Sequence, residues 1–148
     1  MARPRFHLLT TAPVAWSAYR RWGPGPALAL LTTGIFVDLD HLVDYAWVRF
    51  RGSRSHYLAP LHAWELVLAA GLLALWARRR RNGYRVMAGL TAGLVLHLVQ
   101  DVLTNRPRHS GVYLLAYRLA HRFDRDRIGW EKHATFHEWS GRSWYTWI

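Results

Sequence analysis

The chain has 148 residues, enough for one domain with one core. It has no cysteine, which excludes disulfides and thiolate metal sites and leaves His, Asp and Glu as the side chains for any metal. The formal net charge is +11, and Lys132 is the one lysine among 20 basic residues, a balance that fits an anionic-lipid or nucleic-acid surface.

Nine tryptophans, many beside arginine or at the ends of apolar runs, match the interfacial aromatics of membrane proteins. Pro13, Tyr19 and the Arg20-Arg21 pair break up the N-terminal run, so no cleavable signal peptide is expected.

Residues 6–19 predict a first helix with a kink at Pro13. Arg20 to Pro26 is a turn with basic and aromatic flanks. Residues 27–50 predict a second helix, apolar to Val37 and then dense in Asp38, Asp40, His41 and Asp44. Gly52 to Ser55 is a loop, with His56 and Tyr57 beside it, and Pro60 suits the first turn of a third helix over 61–78. The Arg78 to Gly83 turn leads to a fourth helix over 84–104, ended by Asn105-Arg106-Pro107. A fifth helix is expected over 112–123, followed by an aromatic tail of no assignable fold. No internal repeat divides the chain. The expected fold is all-α: a single domain over 1–148, with a four- to five-helix antiparallel bundle over about 5–107 and a C-terminal helix and irregular tail over about 111–148.

A membrane span needs about 20 apolar residues. The third and fourth helices reach that length if their polar residues lie near one bilayer face. The third helix carries no polar stripe, which argues against a water-facing helix. The expectation is therefore a multi-pass membrane bundle; the rival is a soluble all-α bundle with one central helix.

Short turns make consecutive helices antiparallel. An up-down-up-down order then brings His7, Asp38, Asp40, His41, Asp44, His56, His62, Glu65, His97 and Asp101 to one end, and the Arg20-Arg21 and Arg78 to Arg81 turns to the other. His97 and Asp101 are four apart; His62 and Glu65, and His41 and Asp44, are three apart. Each pair shares a helical face. Oxygen and imidazole ligands pooled this way suit one or two divalent ions, Zn²⁺ or Mn²⁺. The competing reading is a polar network that holds the bundle together without an ion.

At these residues the chain resembles the bacterial membrane-bound metal-dependent hydrolases, inner-membrane proteins with a motif pattern similar to that of zinc-dependent phospholipase C. His7-Leu8-Leu9-Thr10 resembles that family's N-terminal His motif, and Val37-Asp38-Leu39-Asp40-His41 its Pro-Asp-x-Asp-His motif. His56 to His62 sits where a His-Arg-x-x-Thr-His-Ser motif is expected, and His97 to Thr104 matches Ser-His-x-x-x-Asp-x-x-Thr. Val37 replaces the proline, and the third motif is spaced by six residues and lacks the Arg, Thr and Ser. The resemblance covers about residues 5–107. It implies a multi-pass protein of the bacterial inner membrane, in contact with membrane lipid, that hydrolyses a substrate through metal-activated water.

On that reading His41, His62, His97, Asp40 and Asp101 bind metal, with Asp38, His7 and His56 as further ligands. Glu65 or Asp44 shuttles the proton. Arg54 and Arg106, with Arg49, Arg51 and Arg108 nearby, would receive an anionic small molecule or lipid headgroup such as a phosphoester. The alternative is a non-enzymatic integral membrane protein with a structural or metal-binding polar cluster. Nucleic acid is not expected as a partner, because the arginines are spread over both helix ends and no nucleic-acid motif is present.

Overall fold

The computed structural model describes residues 4–52, 56–105 and 107–130. The described residues are helical, in the order α1 (Pro4–Trp22), α2 (Pro24–Phe36), a 3₁₀ turn (Val37–Asp40), α3 (His41–Arg51), α4 (Trp64–Trp76), a 3₁₀ turn (Ala77–Arg79), α5 (Arg81–Asn105), a 3₁₀ turn (Ser110–Tyr113) and α6 (Leu115–Ala120). Among them the one β-type pairing is an isolated bridge between His56 and Asp124. The aromatic tail from Glu131, Arg54 and Arg106 lie outside the described residues.

Helices α1 and α2 meet at Gly23, whose N–H donates to the Tyr19 carbonyl, and Pro24 opens α2. Pro is tolerated there because the first helical N–H groups have no intrahelical acceptor. The two helices pack antiparallel through Ala15, Ala18, Ala27 and Leu30. Helix α5 packs on α2, runs parallel to it and also touches α1: Gly25 meets Val86, Gly89 meets Pro26, Gly93 meets Leu30 and Thr33, and the His97 ring stacks on His7. Helix α4 packs on α5. Helices α1, α2 and α5 thus pack together, α4 lies on α5, and α2 and α5 end side by side.

Close approach of α2 to its neighbours depends on glycines: a Cβ at Gly89 would collide with the Pro26 carbonyl. A Cβ at Gly93 would collide with the Leu30 carbonyl and the Thr33 hydroxyl, and one at Gly34 with the Thr11 side chain. The Thr33 hydroxyl also donates across the interface to the Leu90 carbonyl at 2.9 Å. Small residues and hydroxyl bonds of this kind let helix backbones touch where no apolar collapse drives them together.

Three of the expected helices differ in ways that bear on the site. The second helix is interrupted by the Val37–Asp40 3₁₀ turn. That tighter winding eclipses residues three apart, so Asp38 and His41 line up on one side. The third helix begins at Trp64 instead of 61, because the amides of Leu58, Ala59 and Leu61 are taken by the Asp44 and Asp40 carboxylates. Pro60 lies in that loop, outside the helix. The fifth helix shrinks to Leu115–Ala120; Leu114 is extended, and Arg122 and Phe123 turn to positive φ after it.

A second apolar cluster caps the end where α2 and α5 finish. Tyr57, Ala59, Leu98, Val112, Tyr113, Ile128 and Trp130 form it, with the Tyr57 and Trp130 rings stacked at 4.4 Å. Between the two apolar clusters lies a buried polar one.

Candidate metal centre

Five segments bring polar side chains to one point. His7 comes from α1, Asp38 and Asp40 from the 3₁₀ turn, His41 and Asp44 from α3, His62 from the loop before α4, and His97 and Asp101 from α5. His7, His62 and His97 are fully buried, Asp101 nearly so, and Asp40, His41 and Asp44 are buried as well. Asp38 is the partly open member, with a side chain 21% exposed.

Two histidines are oriented from behind. The Nδ1–H of His62 donates to Asp40, 3.0 Å from Oδ1. The Nδ1–H of His97 donates to the Gly34 carbonyl at 3.2 Å. With the proton on Nδ1, each ring turns an Nε2 lone pair inward. Those two Nε2 atoms stand 3.1 Å apart.

Two carboxylates close the group. Asp38 Oδ1 lies 3.3 Å from His62 Nε2 and 3.4 Å from His97 Nε2. Asp101 Oδ2 lies 3.0 Å and 3.9 Å from the same two atoms. Four ligands tetrahedrally placed about 2.0–2.1 Å from an ion are separated by about 3.3 Å. The ligand atoms of Asp38, His62, His97 and Asp101 all lie within 4.8 Å of one another, a set that could hold a metal ion.

The unpaired atoms point the same way. Asp38 Oδ1, Asp101 Oδ1, His41 Nε2 and both nitrogens of His7 are buried without a hydrogen-bond partner, and Asp101 Oδ2 has only His62 Nε2, at 3.0 Å. A buried carboxylate needs a cation, a donor or a proton. Four carboxylates (Asp38, Asp40, Asp44, Asp101) share the cluster with four imidazoles, so neutral rings leave it with a formal charge of −4.

Burial opposes a proton on His62, but the contacts to Asp101, Asp38 and Asp40 outweigh it and raise its pKa well above the usual histidine value. In the metal-free chain these carboxylates therefore hold a proton on His62, in the position a cation would take.

The remaining polar residues support the loop that carries His62. Asp44 accepts from the Leu58 N–H at 2.6 Å and the Ala59 N–H at 3.2 Å; Asp40 accepts from the Leu61 N–H at 2.6 Å. On the other side Arg118, fully buried, donates to the carbonyls of Leu58 at 2.5 Å, Ala59 at 2.7 Å and His62 at 3.0 Å. Ala59 is held between them at φ 31°, left-handed backbone that a side chain disfavours. The sequence alone assigns Arg118 no role; an arginine in a short polar-apolar helix resembles any surface arginine until the loop it binds is known.

Several expected roles change. Asp44, expected to move a proton, has its oxygens on the loop amides and 3.4 Å from His41 Nδ1. Glu65, the other expected base, accepts from the Leu115 N–H at 3.0 Å and the Ala116 N–H at 2.9 Å, capping α6 outside the cluster. Asp40 forms with His41 and His62 a second group that could hold an ion. Its oxygens, however, already serve the Leu61 N–H and the His62 ring, which makes it an orienting group. His56 is bridged to Asp124 with its ring against Trp47 at 5.6 Å, away from the cluster.

The chain matches no family model, no curated protein and no solved structure.

Proposed function

We propose that the chain is a membrane-bound metal-dependent hydrolase whose ion is held by Asp38, His62, His97 and Asp101. The observation that carries this reading is the inward convergence of two Nε2 lone pairs, 3.1 Å apart, between two buried carboxylates. Two such nitrogens must share either a proton or a metal ion, and the carboxylates on both sides supply the anionic ligands an ion needs. Mixed N and O ligation accommodates Zn²⁺ or Mn²⁺. An ion here supplies a water acidified to a pKa of about 7 and polarises the scissile group.

Asp38 is the route in, because it is the ligand open to the outside. In the proposed reaction the water oxygen bonds to the phosphorus of a phosphoester as the ester P–O bond breaks. The proton that the water loses would pass to the leaving alcohol. Arginine in the flanking segments suits an anionic headgroup. The motif resemblance of His7, Asp38 to His41, and His97 to Thr104 supports the same assignment.

Two helical segments, Pro24–Arg51 with 28 residues and Arg81–Asn105 with 25, are long and apolar enough to cross a membrane. At 1.5 Å per residue, 25 residues extend about 37 Å, against about 30 Å of hydrocarbon. His97, 16 residues into α5, is about 24 Å from its start, toward one bilayer face. The exposed apolar side chains of α1, α2 and α4, among them Leu9, Leu28, Leu72 and Trp76, would meet acyl chains.

The test is turnover. Detergent-purified protein loaded with Zn²⁺ or Mn²⁺ is offered chromogenic phosphomonoesters, phosphodiesters and fluorescent phospholipids. The reading expects ester cleavage that stops on chelation and in Asp101→Asn. Absence of cleavage across these esters by metal-loaded protein contradicts it.

A second reading rests on His62, each of whose ring nitrogens has a carboxylate oxygen at 3.0 Å. A protonated His62 would then tie the helices together with no ion, and a folded protein that takes up no metal favours that account.

A further inference from the structure

Asp38 and Asp101 each divide their two oxygens between two sides of the cluster. The oxygens named above, Asp38 Oδ1 and Asp101 Oδ2, face His62 and His97. The other two, Asp38 Oδ2 and Asp101 Oδ1, face His7, whose Nε2 lies 3.7 Å and 3.6 Å from them. Those distances are too long for hydrogen bonds. An ion about 2.1 Å from both ends of such a contact would subtend about 120°, an ordinary ligand angle.

His7 has no other occupation for its nitrogens. It is fully buried, and neither Nδ1 nor Nε2 has a hydrogen-bond partner. Its ring is stacked on that of His97 at 4.0 Å with 11° between the planes, which fixes its direction. Thr11, one turn further along α1, is also fully buried with an unpartnered hydroxyl, a neutral oxygen on the same face. A buried imidazole with two idle nitrogens is costly unless something completes it.

We propose a second metal position, held by His7 Nε2, Asp38 Oδ2 and Asp101 Oδ1 and joined to the first by both carboxylates as bridges. The proposal rests on the metal-centre reading above and adds a second ion to it. Paired ions bridged by carboxylates clamp the attacking and leaving oxygens of an in-line displacement, the geometry of phosphoester cleavage. His7 is then a ligand of the second ion, and α1 becomes part of the centre.

Mn²⁺ reports this without any assay of turnover. Apo protein in detergent is titrated with Mn²⁺, and bound equivalents and the electron paramagnetic resonance spectrum are recorded together. The proposal expects two equivalents and a spectrum of exchange-coupled ions in the wild type. In His7→Phe, which keeps the ring stack, and in His7→Gln, it expects one equivalent with the six-line signal of an isolated ion. One equivalent with an isolated signal in the wild type, unchanged by either substitution, overturns the second position and leaves the first standing. No uptake by folded wild-type protein overturns both.

Discussion

His62 Nε2 and His97 Nε2 face each other across 3.1 Å, although the two residues come from different elements 35 positions apart. Each ring is turned by a bond at its far nitrogen, His62 by Asp40 and His97 by the Gly34 carbonyl. The pair is therefore arranged from outside the cluster, and substitutions at the outer groups test it.

Asp40→Asn removes the charge behind His62 while keeping an oxygen for the Leu61 N–H. Substituting groups that orient a metal-bound histidine lowers metal affinity by about 10–100-fold. Competition titration with a chromophoric chelator should read a drop of that size, with the helix content unchanged. Unaltered affinity would detach Asp40 from the centre.

Arg118→Met leaves the carbonyls of Leu58, Ala59 and His62 without their donor in a buried setting. A buried acceptor left without its donor costs about 1–3 kcal/mol. The expected outcome is a clear fall in the unfolding midpoint and loss of bound metal, both restored in part by Arg118→Lys. A midpoint equal to wild type would contradict the clamp on the 58–62 loop.

Glu65→Ala separates two roles for one carboxylate. As the cap of α6 its loss costs about 0.5–2 kcal/mol, with metal content and turnover per folded molecule unchanged. A fall of turnover by several orders of magnitude in a stable, metal-loaded variant would return Glu65 to the chemistry.

The pH dependence follows from His62. Its pKa in the folded, metal-free chain is raised above the ordinary value of 6.5. The stability this adds to metal-free protein is fully present below 6.5 and is lost as pH rises through the raised value. A metal must expel that proton, so its affinity should climb by about tenfold per pH unit in the same window and level off above it. Thermal unfolding with a chelator and metal titrations across pH check the two slopes. A metal affinity independent of pH would mean that His62 is not a ligand.

The gathering of polar residues at one end was legible from the order of helices and short turns. Given antiparallel neighbours, His7, Asp38, His41, His97 and Asp101 had to meet. Their division of labour was not legible. Asp38 and Asp40 are two apart, and a regular helix does not say which faces the centre; the 3₁₀ turn decides it by aligning Asp38 with His41. Spacing made His62 and Glu65 look like a ligand pair on one helix face. The loop amides captured by Asp40 and Asp44 delay the helix to Trp64, so His62 sits in the loop and Glu65 in the first turn. Arg118 was invisible for the same reason, since its partners are backbone carbonyls that no side-chain pattern records.

The central claim is that the cluster holds a divalent ion, and elemental analysis of detergent-purified protein tests it most directly. Wild type is measured beside His97→Ala and Asp101→Ala, each verified as folded. The account predicts at least one equivalent of a transition metal in the wild type, lost from both variants. A folded wild type that is metal-free and takes up neither Zn²⁺ nor Mn²⁺ would contradict it and leave the protonated His62 network as the explanation of the cluster.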